Sequence, residues 1–242
     1  LGYERYGTQG GDIGAAIAGA LAAAAPGRVA GVHLNGPSMF PSGEPLEVAD
    51  LSEADQVRLQ RFNVFQAEGM GYLQIQSTRP QTLAYSLTDS PAGQLAWIVE
   101  KFQEWTDPAA ELPEDAVDRD QLLTNVTLWW LNGLGASAAH FVYEGMRSWA
   151  AAEAGNVEGS DAEGSDAEGS QREETEAAGG ASSAVPVGVA VFAGDNSIRR
   201  LIEAYTPNIV HWSEFDRGGH FAAMETPDLL TGDIRTFFRR FR

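Results

Sequence analysis

The amino-acid sequence predicts an α/β protein in which a parallel β-sheet with crossover helices is interrupted by a long helical insertion. Short apolar strands alternate with helical segments near both ends of the chain, which is typical of parallel sheets. Between about residues 47 and 144 the apolar side chains instead recur at helical spacing. A third observation is the small-residue turn at 10–14, which joins the first predicted strand to an alanine-rich helix.

That turn is the segment on which the predicted site depends. It presents a single acidic residue, Asp12, between glycines, and a helix-forming run follows it to about residue 25. The pattern predicts a nucleophile elbow, a sharp strand–turn–helix with Asp12 at its tip. We expect Gly10 and Gly14 to be required because Cβ atoms there would clash as strand and helix approach. A carboxylate so placed attacks electrophilic carbon to form an ester, whereas the alternative role of Asp12 is that of a helix N-cap.

The other elements follow in chain order from the apolar periodicity. Asn35-Gly36-Pro37 ends the second strand, and the acidic stretch separates the helical insertion from the last two strands. The predicted elements are a strand at 28–34, helices within about 47–144, a strand at 185–192, a helix at 197–205, a strand at 209–215, and an amphipathic helix through 229–238. The predicted organisation is a core at 1–36, a helical cap at 37–150, an acidic insert at 151–183, and a second core segment at 184–242.

Charge and composition exclude several classes of function. The net charge is −18, and residues 153–176 contribute −8 of it through nine acidic residues and one arginine. This segment repeats Glu-Gly-Ser-Asp-Ala and has no apolar face, so we expect a disordered loop. The negative charge disfavours nucleic acid as a partner. No run of about 18 apolar residues is present, so no transmembrane segment is predicted in this chain.

The chain contains no cysteine, which excludes disulfides, a cysteine nucleophile and thiolate metal sites. This composition fits a reducing compartment, and we expect a cytoplasmic location. The first residue is Leu1 rather than methionine, so the sequence is expected to be a fragment or a processed chain.

Three candidate functional residues fall at the carboxyl ends of predicted strands, where active sites collect in such sheets. They are Asp12, Asp195 and His220, and their order along the chain is nucleophile, acid and histidine, as in α/β-hydrolases. Taken singly, Asp195 could cap the helix that follows it and His220 could be an ordinary loop residue. We expect the other three histidines to be structural: His33, His140 and His211.

Several separate motifs together resemble the microsomal-type epoxide hydrolases, a branch of the α/β-hydrolase superfamily. The resemblance extends over nearly the whole chain apart from the acidic segment, and it implies a C-terminal part of an α/β-hydrolase with an inserted helical cap. The motifs are Gly10-Gly11-Asp12, Gly71-Tyr72, Gln74-Ile75-Gln76, Thr78-Arg79-Pro80, Asp89-Ser90-Pro91, Glu100-Lys101-Phe102 and Arg217-Gly218-Gly219-His220-Phe221-Ala222-Ala223.

By this resemblance Asp12 is the nucleophile and Asp195 the charge partner of His220. Tyr72 is then a cap tyrosine that donates a hydrogen bond to the epoxide oxygen, and the backbone N–H of Ile13 is an oxyanion donor. The implied reaction opens a small hydrophobic epoxide to an ester on Asp12, which water activated by His220 hydrolyses to a diol. No metal or organic cofactor is required, and homo-oligomerisation stays open.

The sequence departs from the family pattern in two places. The position of the family's second cap tyrosine corresponds to Val142, and the adjacent Tyr143 replaces it only if the helix is rotated or shifted, because neighbouring residues point about 100° apart. Family members also carry an N-terminal arm, early strands and a His-Gly-Pro loop with a second oxyanion donor before the elbow, and these are not in this sequence.

Two alternatives follow from the same residues. A truncated, non-catalytic remnant would at most bind hydrophobic ligands under its cap. A haloalkane dehalogenase shares the aspartate nucleophile. In that family, however, a tryptophan follows the aspartate at the elbow, whereas Ile13 in this sequence has no side-chain N–H to hold a halide ion.

Overall fold

The structure, a computed structural model, describes residues 2–37, 45–160 and 185–241. Its described strands form one parallel sheet in the order β1-β2-β3-β4. The strands are β1 Tyr6–Gly11, β2 Val29–Asn35, β3 Val187–Val191 and β4 Ile209–Glu214. All four strands lie where the sequence predicts them, and the parallel arrangement is confirmed.

The helices occupy three parts of the chain. Helix α1 follows β1, a helical region lies between β2 and β3, and the last helices accompany and follow β4. Their bounds are α1 Ile13–Ala24, α2 Glu53–Val64, a π-helical turn Phe65–Gly69, α3 Gly71–Thr78, α4 Pro80–Asp89, α5 Pro91–Trp105, α6 Pro113–Ala116, α7 Arg119–Leu131, α8 Leu134–Ser160, α9 Arg199–Ile202, α10 Ala222–Glu225, α11 Pro227–Phe238 and a 3₁₀ turn Arg239–Phe241.

The sheet packs helices against both of its faces. On one face α1 contributes buried Ala18 and Ala22 to an apolar cluster with valines of β2 and β3. On the other face Phe237 of α11 lies so close to the sheet that a Cβ atom at Gly188 would come within 2.6 Å of its ring. Burying both faces explains why β2 and β3 are mostly apolar in sequence.

Two histidines of the sheet share one carboxylate beneath α11. His33 Nε2 lies 2.8 Å from Asp233 Oδ2, and His211 Nε2 lies 2.8 Å from Asp233 Oδ1. Ser213 donates a hydrogen bond to the same Oδ1 at 2.7 Å. These contacts agree with the structural role expected for both histidines, since a buried polar group is stable only when it is paired. His140 is half-buried, and its Nε2 lies 3.0 Å from Oε1 of Gln81 on α4.

Two predicted elements differ from those observed. The helix expected at 197–205 is reduced to the single turn α9, which is followed by hydrogen-bonded turns to Thr206. Helix α8 extends to Ser160, so residues 151–160 are helical where the sequence predicts disorder; the alanine-rich start of that stretch favours helix. The rest of the predicted acidic insert, 161–183, lies outside the described residues.

Candidate active site

The turn between β1 and α1 holds Asp12 in an uncommon backbone conformation. Its φ is 53° and its ψ is −129°, at the N-cap of α1 and without a side-chain capping hydrogen bond. Such a conformation costs a non-glycine residue about 1–3 kcal/mol and persists only where the surrounding fold enforces it. The capping alternative for Asp12 therefore has no side-chain capping hydrogen bond to support it.

The two elbow glycines have different roles. A Cβ atom at Gly10 would lie 2.8 Å from the backbone nitrogen of Ala15 and closer still to the carbonyl group of Gly14, so only glycine fits there. A Cβ atom at Gly14 would meet nothing within 4 Å. The prediction that Gly10 is required is confirmed, and the same prediction for Gly14 is wrong. The close approach is made by the Gly14 backbone, while its own Cβ direction is open.

The structure brings Asp12 and His220 together although 207 residues separate them in the sequence. Asp12 Oδ2 lies 3.2 Å from His220 Nε2, with 57 % of the Asp12 side chain and 33 % of the His220 side chain exposed. The hydrogen bond from His220 is the main cause that lowers the pKa of Asp12, and the backbone N–H of Ile13 adds to it against the opposing effect of burial. Asp12 is thus held ionised, as a nucleophile requires.

The protonation of His220 is set by opposing effects. Burial disfavours its charged form, but the hydrogen bond to Asp12 and the negative charges of Asp12, Asp195 and Glu225 together raise the pKa of the imidazole above its usual value. With Asp12 ionised, His220 therefore favours the imidazolium form more than a free histidine does.

Asp195 lies in the site region but is oriented by the backbone of its own loop. Its Oδ2 accepts a hydrogen bond from the Phe192 N–H at 2.7 Å, and a Cβ atom at Gly36 would come within 2.5 Å of its Oδ1. Burial raises the pKa of Asp195 to about 6, although the charge of His220 lowers it. Asp195 and His220 are both in the described part of the chain, and no direct hydrogen bond or ion pair joins their side chains. They interact only through the attraction of their charges.

The cap contributes Tyr72 to the same region. Its ring lies 5.3 Å from that of Trp105, which in turn lies 5.1 Å from the His220 ring. Burial raises the pKa of Tyr72 to about 12, and the charges of Asp12 and Glu104 act in the same direction. The phenol therefore keeps its proton at neutral pH and is available as a hydrogen-bond donor near enough to Asp12 for the carboxylate charge to affect its pKa.

The structure gives Tyr143 a different partner. On α8 its hydroxyl accepts a hydrogen bond from Arg147 at 3.2 Å, and the guanidinium of Arg147 lies over its ring. Within the described ranges, no hydrogen bond or ring contact joins Tyr143 to Asp12, Tyr72 or His220. The role of Tyr143 as second cap tyrosine stays a prediction that these contacts do not support.

Sequence reasoning missed several residues around the site. Lys101 places its ammonium nitrogen 4.7 Å from the centre of the Tyr72 ring and 5.3 Å from that of Trp105. Asp107 and Glu225 accept hydrogen bonds from backbone N–H groups of the loop that carries His220. The Glu100-Lys101-Phe102 motif marked the neighbourhood of Lys101 and Trp105, but nothing in the spacing indicated their contact with Tyr72 and His220.

Known proteins are similar to this chain in sequence and in structure. No protein-family model matches the chain. It is 39 % identical over 244 residues to a Stigmatella aurantiaca protein provisionally named an epoxide hydrolase, and 31 % identical over 260 residues to epoxide hydrolase 1 of Sus scrofa. The chain is homologous to epoxide hydrolases. These alignments cover 100 % and 98 % of the chain but only 48 % and 51 % of the two relatives, so the chain spans about half the length of the curated relatives it matches.

Solved structures agree with the sequence comparison. The Aspergillus niger epoxide hydrolase matches with a TM-score of 0.73 at 27 % identity, covering 100 % of this chain and 54 % of that one. The juvenile hormone epoxide hydrolase of the silkworm Bombyx mori matches with a TM-score of 0.68 at 27 % identity, covering 100 % and 51 %. The fold is therefore that of the α/β-hydrolases, and the predicted fold class is confirmed.

Proposed function

We propose that the chain hydrolyses a small hydrophobic epoxide to a vicinal diol through an ester on Asp12. The observation that carries the proposal is the contact of Asp12, held on a strained elbow, with His220 at 3.2 Å. A carboxylate nucleophile next to a histidine base is the pair that a two-step ester mechanism needs.

In the first step a carboxylate oxygen of Asp12 attacks one epoxide carbon. The carbon–oxygen bond of the ring breaks, and the departing oxygen takes its proton from the hydroxyl of Tyr72. The high pKa of Tyr72 keeps that proton available at neutral pH. The product is a hydroxyalkyl ester of Asp12.

In the second step His220 takes a proton from water, and the resulting hydroxide attacks the carbonyl carbon of the ester. The backbone N–H of Ile13, which donates to Asp12 in the resting site, stabilises the oxyanion. Collapse of the tetrahedral intermediate releases the diol and regenerates the Asp12 carboxylate, and protons return to Tyr72 from His220 through solvent.

The ion pair in the resting site makes these two steps compatible. Before reaction, the charge of Asp12 helps to raise the pKa of His220. Esterification removes that charge, so the pKa of the imidazole falls while burial continues to disfavour its charged form. Forming the ester thus converts His220 into the neutral base that its hydrolysis requires.

Two further proposals concern the setting of this activity. We propose a cytoplasmic location, which the cysteine-free composition supports.

We also propose self-association, supported by an apolar stripe on α1 formed by Ile13, Ile17 and Leu21, which are 48 %, 61 % and 39 % exposed. Within the described residues, no helix is long and apolar enough to cross a membrane.

The test is turnover of styrene oxide by the 242-residue chain, followed by chromatography of the diol. We expect diol formation by the parent chain and none above background from Asp12→Asn. A folded parent chain that binds styrene oxide without hydrolysing it would reject the proposal and favour a non-catalytic, ligand-binding protein.

A further inference from the structure

The loop that carries His220 lies directly on a segment of the cap. The backbone N–H of His220 donates to the carbonyl oxygen of Trp105 at 2.8 Å. A Cβ atom at Gly219 would come within 2.5 Å of that oxygen, and both Gly218 and Gly219 are buried. Because the two backbones touch, any shift of residues 105–107 displaces the loop of His220.

Two carboxylates close this contact from opposite sides. Asp107 in the cap accepts a hydrogen bond from the Gly218 N–H on Oδ2 at 2.6 Å. Glu225 in the core accepts one from the Asp107 N–H on Oε2 at 2.8 Å and one from the Phe221 N–H on Oε1 at 2.9 Å. Cap and core thus each supply an acid to the backbone of the other, and the bonded positions bracket His220 at 218 and 221.

Apolar packing supports the same junction. The ring of Phe221 stacks on that of Phe102 at 4.0 Å, and Phe221 and Met224 pack against a cluster of α5 and α7 that includes Phe102 and Val126. Packing of this kind favours contact of cap and core but leaves the loop free to slide. Hydrogen bonds to charged acceptors are directional and about twice as strong as neutral ones, so they fix the register of the loop.

We propose that Glu225 and Asp107 are positioning residues that hold the His220 imidazole over Asp12 by clamping its loop to the cap. The inference rests on the proposed function in assigning His220 as the base, and it extends that function by adding two residues that touch no reacting atom. Glu225 also contributes negative charge to His220, together with Asp12 and Asp195. Removing the clamp therefore alters both the place and the titration of the imidazole.

The clamp makes a specific kinetic prediction because the two chemical steps use His220 differently. Attack by Asp12 on the epoxide needs the carboxylate and the phenol, whereas hydrolysis of the ester needs a correctly placed base. A displacement of about 1 Å can cost on the order of a hundredfold in rate. Loosening the loop is expected to slow hydrolysis of the ester by about tenfold or more and to change ester formation by less than about threefold.

The experiment uses the 242-residue chain with Glu225→Gln, Asp107→Asn and the double variant. Glu203→Gln, an exposed carboxylate paired with Arg199, is the matched control. Glutamine keeps the shape of Glu225 but has only one acceptor oxygen, so the bond to the Asp107 N–H or the bond to the Phe221 N–H is lost. Rapid-quench single turnovers of styrene oxide give the rates of ester formation and ester hydrolysis separately.

A second readout does not depend on turnover. Amide hydrogen exchange by NMR reports the protection of the Asp107, Gly218 and Phe221 N–H groups, and the ring signals of His220 report its titration. We expect Glu225→Gln to lose protection at Asp107 or at Phe221 and to lower the pKa of His220, with the control unchanged. If the parent chain forms no diol, the proposed function fails, and exchange and titration still decide the clamp.

The outcomes separate clearly. Accumulation of the ester in both single variants, with a double variant no slower than about the worse single one, supports one cooperative clamp. Equal slowing of both chemical steps indicates a general loss of structure and overturns the positioning role. Unchanged protection of the Asp107, Gly218 and Phe221 amides in both single variants also overturns it.

Discussion

The two glycines of the elbow offer a paired test of the site's architecture. Gly10→Ala introduces a Cβ atom at less than 3 Å from backbone atoms of Gly14 and Ala15, neither of which can rotate away. Gly14→Ala introduces the same atom into open space, inside α1 and two residues after the nucleophile. The substitutions are chemically identical and four residues apart, so the difference between them isolates the steric constraint.

The structure sets the size of each effect. Overpacking against well-packed surroundings typically costs about 1–3 kcal/mol, and we expect Gly10→Ala to lie at the upper end because the atoms it meets are backbone. For a chain of this size 1 kcal/mol corresponds to about 2–4 °C in melting temperature, so the expected drop is about 6–12 °C. Gly14→Ala replaces a glycine in the first turn of α1 where a Cβ atom meets nothing, and it is expected to stabilise by about 0.4–1 kcal/mol, or about 1–4 °C, through the lower entropy of the unfolded chain.

Differential scanning calorimetry of the three proteins measures both shifts. An equal loss in the two variants would mean that Gly14 is constrained as the sequence pattern suggested. A Gly10→Ala protein that melts within about 2 °C of the parent would refute the close strand–helix contact and with it the strained placement of Asp12.

Three further predictions test the electrostatics and the surface of the chain. Lys101→Met should slow epoxide opening by about fivefold, the rate equivalent of about 1 kcal/mol, because the charge of Lys101 over the Tyr72 ring favours proton donation by the phenol. Lys101→Arg should keep the rate, and rapid-quench kinetics measures both variants. Asp12→Asn should lower the pKa of His220 in an NMR titration, since the Asp12 carboxylate raises it; an unchanged or higher pKa would contradict the ion pair. The attraction of this pair therefore stabilises the fold between the lowered pKa of Asp12 and the raised pKa of His220, and it fades as the pH falls through the first or rises through the second. Ile17→Lys should reduce self-association in sedimentation velocity, because Ile17 is the most exposed residue of the α1 stripe, and an unchanged distribution would place the contact elsewhere.

Local sequence signals predicted the parts of the fold that depend on local chemistry. The apolar runs at 28–34 and 185–192 specify buried parallel strands because a strand covered on both faces has no polar side. Likewise, the glycines around Asp12 specify a tight turn, and the observed backbone angles agree. Helical spacing located the insertion between β2 and β3, and serine and proline residues mark the starts of several of its helices, as at Ser90 and Pro91.

Features set by contacts between distant segments were beyond the same signals. Asp195 was identified from its place after β3, but whether it bonds His220 or the Phe192 N–H depends on how two loops meet. Gly14 was misjudged because the sequence shows only that glycines stand on both sides of Asp12. It does not show that the Cβ atom of residue 10 would clash with the backbone of residue 14 while the Cβ atom of residue 14 would not. Glu225 bonds the cap at Asp107, 118 residues away, and no local pattern indicates such a partner.

The central claim is that Asp12 carries a covalent ester. His220→Gln should permit ester formation and block its hydrolysis, so that incubation with styrene oxide adds one substrate mass to the protein. Peptide mass spectrometry should locate that mass on Asp12, and parent chain cycled in heavy-oxygen water should carry the heavy isotope in the Asp12 carboxylate. A His220→Gln protein that gains no mass, together with parent chain that delivers solvent oxygen straight to the diol and leaves Asp12 unlabelled, would contradict the mechanism.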